Sequence, residues 1–246
     1  MLRPGERIDD LQRGGLSVIQ SDEHFPFSID AVLLAHFASL KPRDKVVDLG
    51  TGSGVIPLLL STRSAKSTIV GLELRPEAAD MAKRSVILNG LDDQISIVQG
   101  DIRQVKNNLP AGDFDLVTCN PPYLPIGSGE ISPADGRSMA RHELHCTLQD
   151  VIDAANWLLR TGGRFTLVHR PERLTEIISL CRSMRLEPKR LRFAHPMRGR
   201  DANIVLVEAM RNGKPGLRVE PVIYVHNSDG TYTQDILTLY GGGKLT

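Results

Sequence analysis

Residues 44–54 read "DKVVDLGTGSG". The first seven are short, β-branched and closed by a glycine, the pattern of a buried strand. Gly50, Gly52 and Gly54 then recur at every second place. Glycines after a strand allow a tight turn and a close approach of backbone to a ligand. A helix beginning near Gly54 would present its free N–H groups to the same space. A dinucleotide fingerprint wants a small residue at the last place of G-x-G-x-x-G. Counted from Gly50, that place is Val55, so the fit is poor. Asp48, inside the strand end, favours a cation such as an amino acid's ammonium over a pyrophosphate.

Working outward, strands and helices alternate. "FSIDAVLLAHFASL" (27–40) has helical spacing, with Ser28 as a candidate cap. "STIVGLEL" (67–74), "QISIVQGD" (94–101) and "FDLVTCN" (114–120) read as the second, third and fourth strands. "RPEAADMAKRSVILNG" (75–90) is a helix with Pro76 in its first turn and Asn-Gly at its end. Thr147 opens a helix over 147–163, and a further helix spans 171–186. Strands at 163–169, 190–195 and 203–210 complete a set of seven. The pattern predicts an α/β fold: a seven-stranded, mostly parallel sheet with helices on both faces. One domain is expected over 1–246. It has an N-terminal segment (1–43), a catalytic core (44–210) and a hairpin-like extension (211–246).

Parallel sheets bind ligands at the carboxyl ends of their strands. That rule predicts that Gly50, Glu73, Leu74, Asp101 and Asn120 share one edge. Glu73 could accept both hydroxyls of a ribose, and Asp101 an amine from an adenine. Leu74 and Ile102 would cover the two sides of that ring. Taken singly, each acid is an ordinary solvated strand end. Three on successive strands make a set suited to a small polar molecule.

"VVDLGTGSGV", "GLELRPEAADMAKRSVILNG", "VQGDI" and "FDLVTCNPPY" together resemble the class I S-adenosylmethionine-dependent methyltransferases, in order and spacing, over 44–123. The resemblance implies a Rossmann-like fold, with S-adenosylmethionine as cofactor and S-adenosylhomocysteine as product. It implies that Asp48, Gly50, Thr51, Gly52 and Gly54 hold the methionine part and that Glu73 and Leu74 lie at the ribose. Asp101 and Ile102 would hold the adenine, with Asn120 beside the cofactor. Phe27 and Asp30, on the preceding helix, are weaker candidates for cofactor contact.

The corner "CNPPYLP" (119–125) is where chemistry is expected. An exocyclic amine is a poor nucleophile because its lone pair is delocalised. Acceptors for its N–H bonds localise that pair and bear the developing charge. The Asn120 amide oxygen and the Pro121 carbonyl can do so, Pro122 stiffens the segment, and Tyr123 offers a face for a splayed-out base. No metal is needed. The signature resembles that of enzymes acting on adenine N6, cytosine N4 or glutamine side-chain nitrogen, and does not choose among them.

"ARHE" (140–143), "HP" (195–196) followed by "AN-LVE", and the closing "YTQDILTLYG" resemble the bacterial tRNA adenine-N6-methyltransferases that modify an anticodon-loop adenosine of a valine tRNA. The function implied is N6-methylation of an RNA adenosine. The alternatives are a glutamine-N5-methyltransferase acting on a protein, or an enzyme acting on rRNA or DNA adenine. About 45 residues precede the first core strand, too few for the helical domain of release-factor methyltransferases. Arg137, Arg141 and His142, in the polar loop after the corner, are candidate substrate contacts or loop braces.

Composition agrees with an ordered, non-membrane chain. The 246 residues are 41% hydrophobic and 24% charged, with a net charge of +1. No apolar run can span a bilayer, and the first ten residues lack a secretory core. Cys119, Cys146 and Cys181 form no C-x-x-C, so a reducing cytoplasm is expected. His142, His145 and Cys146 have no second ligand pair nearby, and no metal site is assigned. Arg160 to Arg200 holds eleven basic residues and three acids. That is either a solvated face or one that meets RNA, the expected partner. No feature singles out a stable protein partner.

Overall fold

A computed structural model describes residues 2–21, 28–121 and 146–241. The strands are β1 (Glu6–Asp10), β2 (Ser17–Ser21), β3 (Lys45–Leu49), β4 (Thr68–Glu73), β5 (Ile95–Gln99), β6 (Phe114–Cys119), β7 (Leu159–His169), β8 (Leu186–Met197), β9 (Ile204–Arg211), β10 (Arg218–Val219) and β11 (Ile223–His226). The helices are α1 (Ile29–Phe37), α2 (Val55–Ser61), α3 (Pro76–Leu88), α4 (Leu148–Leu158), α5 (Leu174–Ser183) and α6 (Gln234–Leu239).

The seven expected strands form one sheet in the order β8-β9-β7-β6-β3-β4-β5. β9 alone among these seven runs antiparallel to its neighbours. Side chains alternate across the pleat. Val46 therefore enters one core layer, with α1 and α2, while Val47 and Leu49 enter the other, with α4 and α5. A sheet covered on both faces needs strands that are apolar at nearly every position. β3 follows this at Val46, Val47 and Leu49; Asp48 is buried with them as the polar exception.

The helix expected over 147–163 ends at Leu158, because residues 159–163 already belong to β7. Three further findings depart from the sequence reading. First, the sheet has nine strands among the described residues, because β10 and β11 both pair in parallel with the outer edge of β8. Second, the tail turns at Asn227–Thr231 as a hairpin would, with Asn227 N–H donating to the Thr231 carbonyl at 2.8 Å. Its second arm is a helix, α6, whose Ile236 is wholly buried in the core layer of α1. Third, β1 and β2, which the sequence reading did not assign, form an antiparallel hairpin. It is clamped to α3: Arg84 donates to both Glu6 carboxylate oxygens, at 2.6 and 2.7 Å, and Ser85 Oγ accepts from Ile19 N–H at 2.9 Å. The Arg84 bond holds the Glu6 carboxyl down at about 2.

The caps divide. Thr147 makes the full capping box with Asp150, whereas Ser28 makes no side-chain cap bond. No described helix is long and apolar enough to cross a membrane.

Candidate active site

The strands β3, β4, β5 and β6 are mutually parallel and in register. Leu49 faces Leu72 and Cys119, and Glu73 faces Gln99. The residues that follow, Gly50, Leu74, Gly100–Asp101 and Asn120–Pro121, therefore emerge at one edge of the sheet, beside Glu73. The edge expected from sequence is the edge the topology builds.

The glycine turn bends at once after β3. Gly50 and Thr51 both donate backbone N–H to the Leu72 carbonyl, at 2.8 and 3.0 Å. Gly50 and Gly52 sit at φ +69° and +57°, a region that side chains strain to adopt. A Cβ on Gly52 would meet nothing within 4 Å among the described residues. Gly71 of β4 has another purpose. A Cβ there would lie 2.8 Å from Thr51 Cγ2, so its absence lets the Thr51 side chain pack inward.

Asp48 lies beneath this turn with 0% exposure. Its Oδ1 accepts from the Thr118 hydroxyl at 2.7 Å. Among the described residues its Oδ2 is buried with no hydrogen-bond partner, and so is Thr51 Oγ1. Burial pushes the Asp48 carboxyl up to about 7; the Thr118 bond and then the neighbouring Thr51 hydroxyl oppose this, and the nearby Glu73 charge adds to it. Two orphaned buried oxygens under a glycine turn cost free energy unless a ligand's donors meet them. A cationic ammonium group fits both.

Glu73 is 6% exposed and already engaged. Its Oε2 accepts from Gly52 N–H at 2.9 Å, and its Oε1 from Arg75 N–H at 3.0 Å and Arg75 Nε at 3.4 Å. A carboxylate has about four lone-pair sites. One hydroxyl can add at Oε2, and a second can displace the long Arg75 Nε contact.

Asp101 caps the 3₁₀ turn Ile102–Asn107 by accepting from Arg103 N–H at 2.9 Å. It also holds the exposed Arg103 guanidinium at 2.6 Å. Arg103 was not singled out from sequence, yet it occupies the oxygens expected to meet an adenine amine. Ile102 lies over the glycine turn, its Cδ1 3.9 Å from where a Gly50 Cβ would be. Leu74 stands 43% exposed at the same edge, an apolar face awaiting cover.

Asn120 and Pro121 follow β6 at half-buried positions. Pro122, Tyr123, Arg137, Arg141, His142 and Phe27 lie outside the described residues, as does most of the His142–Cys146 stretch. Asp30 is buried on α1. Gln20, also missed from sequence, is buried on β2 and donates to Ser53 Oγ at 3.2 Å. The N-terminal hairpin thus braces the glycine turn. "SVIQS" (17–21) does not alternate apolar with polar, so no period-two signal marked this strand.

The basic run does not make one face. Arg164 is buried against Asp44 at 2.7 Å, and Arg190 bridges Glu208 and Glu220 at 3.0 and 2.7 Å. Arg160, Arg173 and Arg182 pair with Asp115, Glu176 and Glu187. Strands crossing the sheet carry successive cations to opposite edges. Only Arg170, Arg198 and Arg200 of the run follow a strand at the edge that bears Asn120.

The methyltransferase small domain family model matches residues 28–183. A tRNA1(Val) (adenine(37)-N6)-methyltransferase of Porphyromonas gingivalis is 29% identical over 85% of each chain. The protein of that name from Vibrio campbellii is 25% identical over 91% of this chain and 90% of its own. Among solved structures, a "predicted O-methyltransferase" of Agrobacterium tumefaciens superposes with TM-score 0.69 at 26% identity, covering 87% of this chain and 96% of its own. Geranyl diphosphate C-methyltransferase of Streptomyces coelicolor shares the fold alone, with TM-score 0.53 at 15% identity over 74% of this chain and 78% of its own.

Proposed function

The chain belongs to the methyltransferase small domain family, and on that premise we propose that it transfers the methyl of S-adenosylmethionine to N6 of an adenosine in tRNA, in the anticodon loop. The observation that carries this reading is the pair of orphaned oxygens, Asp48 Oδ2 and Thr51 Oγ1, beneath a glycine turn at the edge that also bears Asn120-Pro121. Relatives matched over most of both chains carry the tRNA adenine-N6 name, which favours adenine over the glutamine nitrogen.

When bound, the cofactor supplies an electrophilic methyl on a positively charged sulfur. The residues of this chain do the rest. Asp48 and Thr51 attract the ammonium of the methionine part, and Glu73 takes the ribose hydroxyls. Asp101, once Arg103 swings away, accepts the adenine amine, with Ile102 and Leu74 against the ring. Asn120 Oδ1 and the Pro121 carbonyl accept the two N–H bonds of the target amine. This localises its lone pair and holds it in line with the methyl. Tyr123 stacks on the flipped base. Arg137, Arg141 and His142 meet the RNA around it. The product nitrogen then loses its extra proton to solvent.

The test is methyl transfer from labelled cofactor to tRNA, rRNA, DNA and a release factor in parallel, with nucleoside analysis of the product. Label recovered as N6-methyladenosine from tRNA is expected. Label only in protein, or only in rRNA or DNA, would replace the reading.

A further inference from the structure

We propose that a second nucleotide of the RNA substrate is held in the cleft where β8, β11 and the 227–233 turn meet, apart from the methyl-transfer corner. The proposal rests on the reading of an RNA substrate and adds where a flanking nucleotide is gripped.

Topology puts this cleft on the working edge. β11 is parallel to β8, and His226 is level with Met197. β8 in turn runs in the direction of β6, because both it and β7 are antiparallel to β9. The ends of β8 and β11 therefore open onto the same edge as Asn120. Four strand spacings separate β6 from β11, about 19 Å at ~4.8 Å each. A short stretch of single-stranded RNA can span that gap.

The chemistry of the cleft suits an unpaired base. Its volume is about 410 Å³, within the usual range for small-ligand sites. The Arg198 guanidinium lies 5.3 Å over the Tyr224 ring, and Tyr224 leans on His195 with centroids 5.5 Å apart. The His226 ring, two residues on and on the same face of β11, continues this lining. It is stacked on Tyr232 at 5.0 Å and 18° and tied to the Pro196 carbonyl at 3.3 Å. Aromatic rings and a guanidinium plane are the surfaces on which proteins stack splayed-out bases. Asp235, the one acid among the described residues lining the cleft, can accept from a base amine but repels phosphate. Phosphate is left to the turn between β8 and β9. There Gly199, at φ +78°, puts exposed Arg198 and Arg200 on the rim, and His195 Nδ1 donates to the Arg200 carbonyl at 2.7 Å. "AHPMRGR" and "YVHNSDGTYTQD", some thirty residues apart in sequence, thus build one site between them.

The simpler account is that these rings only fasten the tail to β8. Arg198 separates the two, since it is exposed and its loss removes no core contact. RNA affinity should be measured by anisotropy, with KM and kcat for tRNA and cofactor affinity by calorimetry, on wild type, Arg198→Glu, Arg198→Ala, Tyr224→Ala and Tyr224→Phe. Arg198→Glu is expected to weaken RNA binding and raise KM at least tenfold, with kcat and cofactor affinity within twofold. Arg198→Ala should reduce the salt slope of binding by about one. Tyr224→Phe should match wild type where Tyr224→Ala does not. If wild type methylates RNA and Arg198→Glu binds it within twofold of wild type, the subsite is overturned alone. If wild type neither binds nor methylates RNA, the subsite and the RNA reading fall together.

Discussion

Asp48 shows most sharply how a residue's place in the sequence differs from its state in the fold. Its carboxyl is raised to about 7 by burial, so it is largely protonated at pH 6 and largely ionised at pH 8. A cationic ligand group binds the ionised form. Cofactor affinity should therefore rise with pH from 6 to 8, by about tenfold, and level off above. Calorimetry across that range checks this, and Asp48→Asn should flatten the dependence; a flat wild-type profile would exclude Asp48 as the charge that is felt. At Asp101 the competing guanidinium makes two opposite predictions. Asp101→Ala should weaken cofactor binding, on the order of tenfold for one lost charged hydrogen bond. Arg103→Ala should leave it unchanged or improve it, since it frees Asp101. Asn120→Ala should lower kcat by ~10²–10³ with cofactor affinity kept within threefold; a parallel loss of cofactor affinity would give Asn120 a structural role. The identities of these residues were legible in "DLGTGSG", "GLEL", "VQGD" and "CNPP". Their partners were not, because Thr118, Arg103 and Arg75 reach them through side-chain geometry that spacing does not encode.

At the scale of elements, polar bridges attach the later strands. Glu208, buried on β9, accepts from Ser39 N–H and Oγ at 2.8 Å, from Thr166 at 3.1 Å and from Arg190 at 3.0 Å. Arg190 also reaches Glu220 at 2.7 Å, next to β10. Removing the cation leaves a buried carboxylate short of a counter-charge. Arg190→Ala should cost about 3 kcal/mol, read as a lower urea midpoint at unchanged slope. A cost below 0.5 kcal/mol would mean that the pair behaves as a surface contact. All seven core strands were visible as β-branched runs between turn residues. The β1–β2 hairpin was not, because five-residue strands with half-polar patterns look like loop until α3 supplies Ser85, Asn89 and Arg84 as partners. α6 was misjudged for a related reason. Its six residues carry too little periodicity to outweigh the turn signal before them.

Across the whole molecule, the proposed ligand site is the meeting of four strand ends, with the N-terminal hairpin joined to its glycine turn through Gln20 and Ser53, so occupancy should stabilise the entire fold. Cofactor at a hundredfold its Kd should add about 2.7 kcal/mol, which for a chain of this size is a rise in Tm of roughly 5–11 °C. Scanning calorimetry with and without S-adenosylhomocysteine measures it; Asp48→Asn should reduce the rise.

The sequence by itself determined the alternation of strands and helices, and with it a parallel sheet. It also determined which residues follow each strand, and hence the chemistry collected at one edge. These are local properties, set by period, glycine placement and turn residues. Only the tertiary structure decided the rest: that Asp48 is wholly buried, that Arg103 lies on Asp101, that the basic run is shared between two edges, and that two stretches some thirty residues apart close a ring-lined cleft. Burial and pairing depend on what packs against a residue from elsewhere in the chain, and no short window of sequence contains that information.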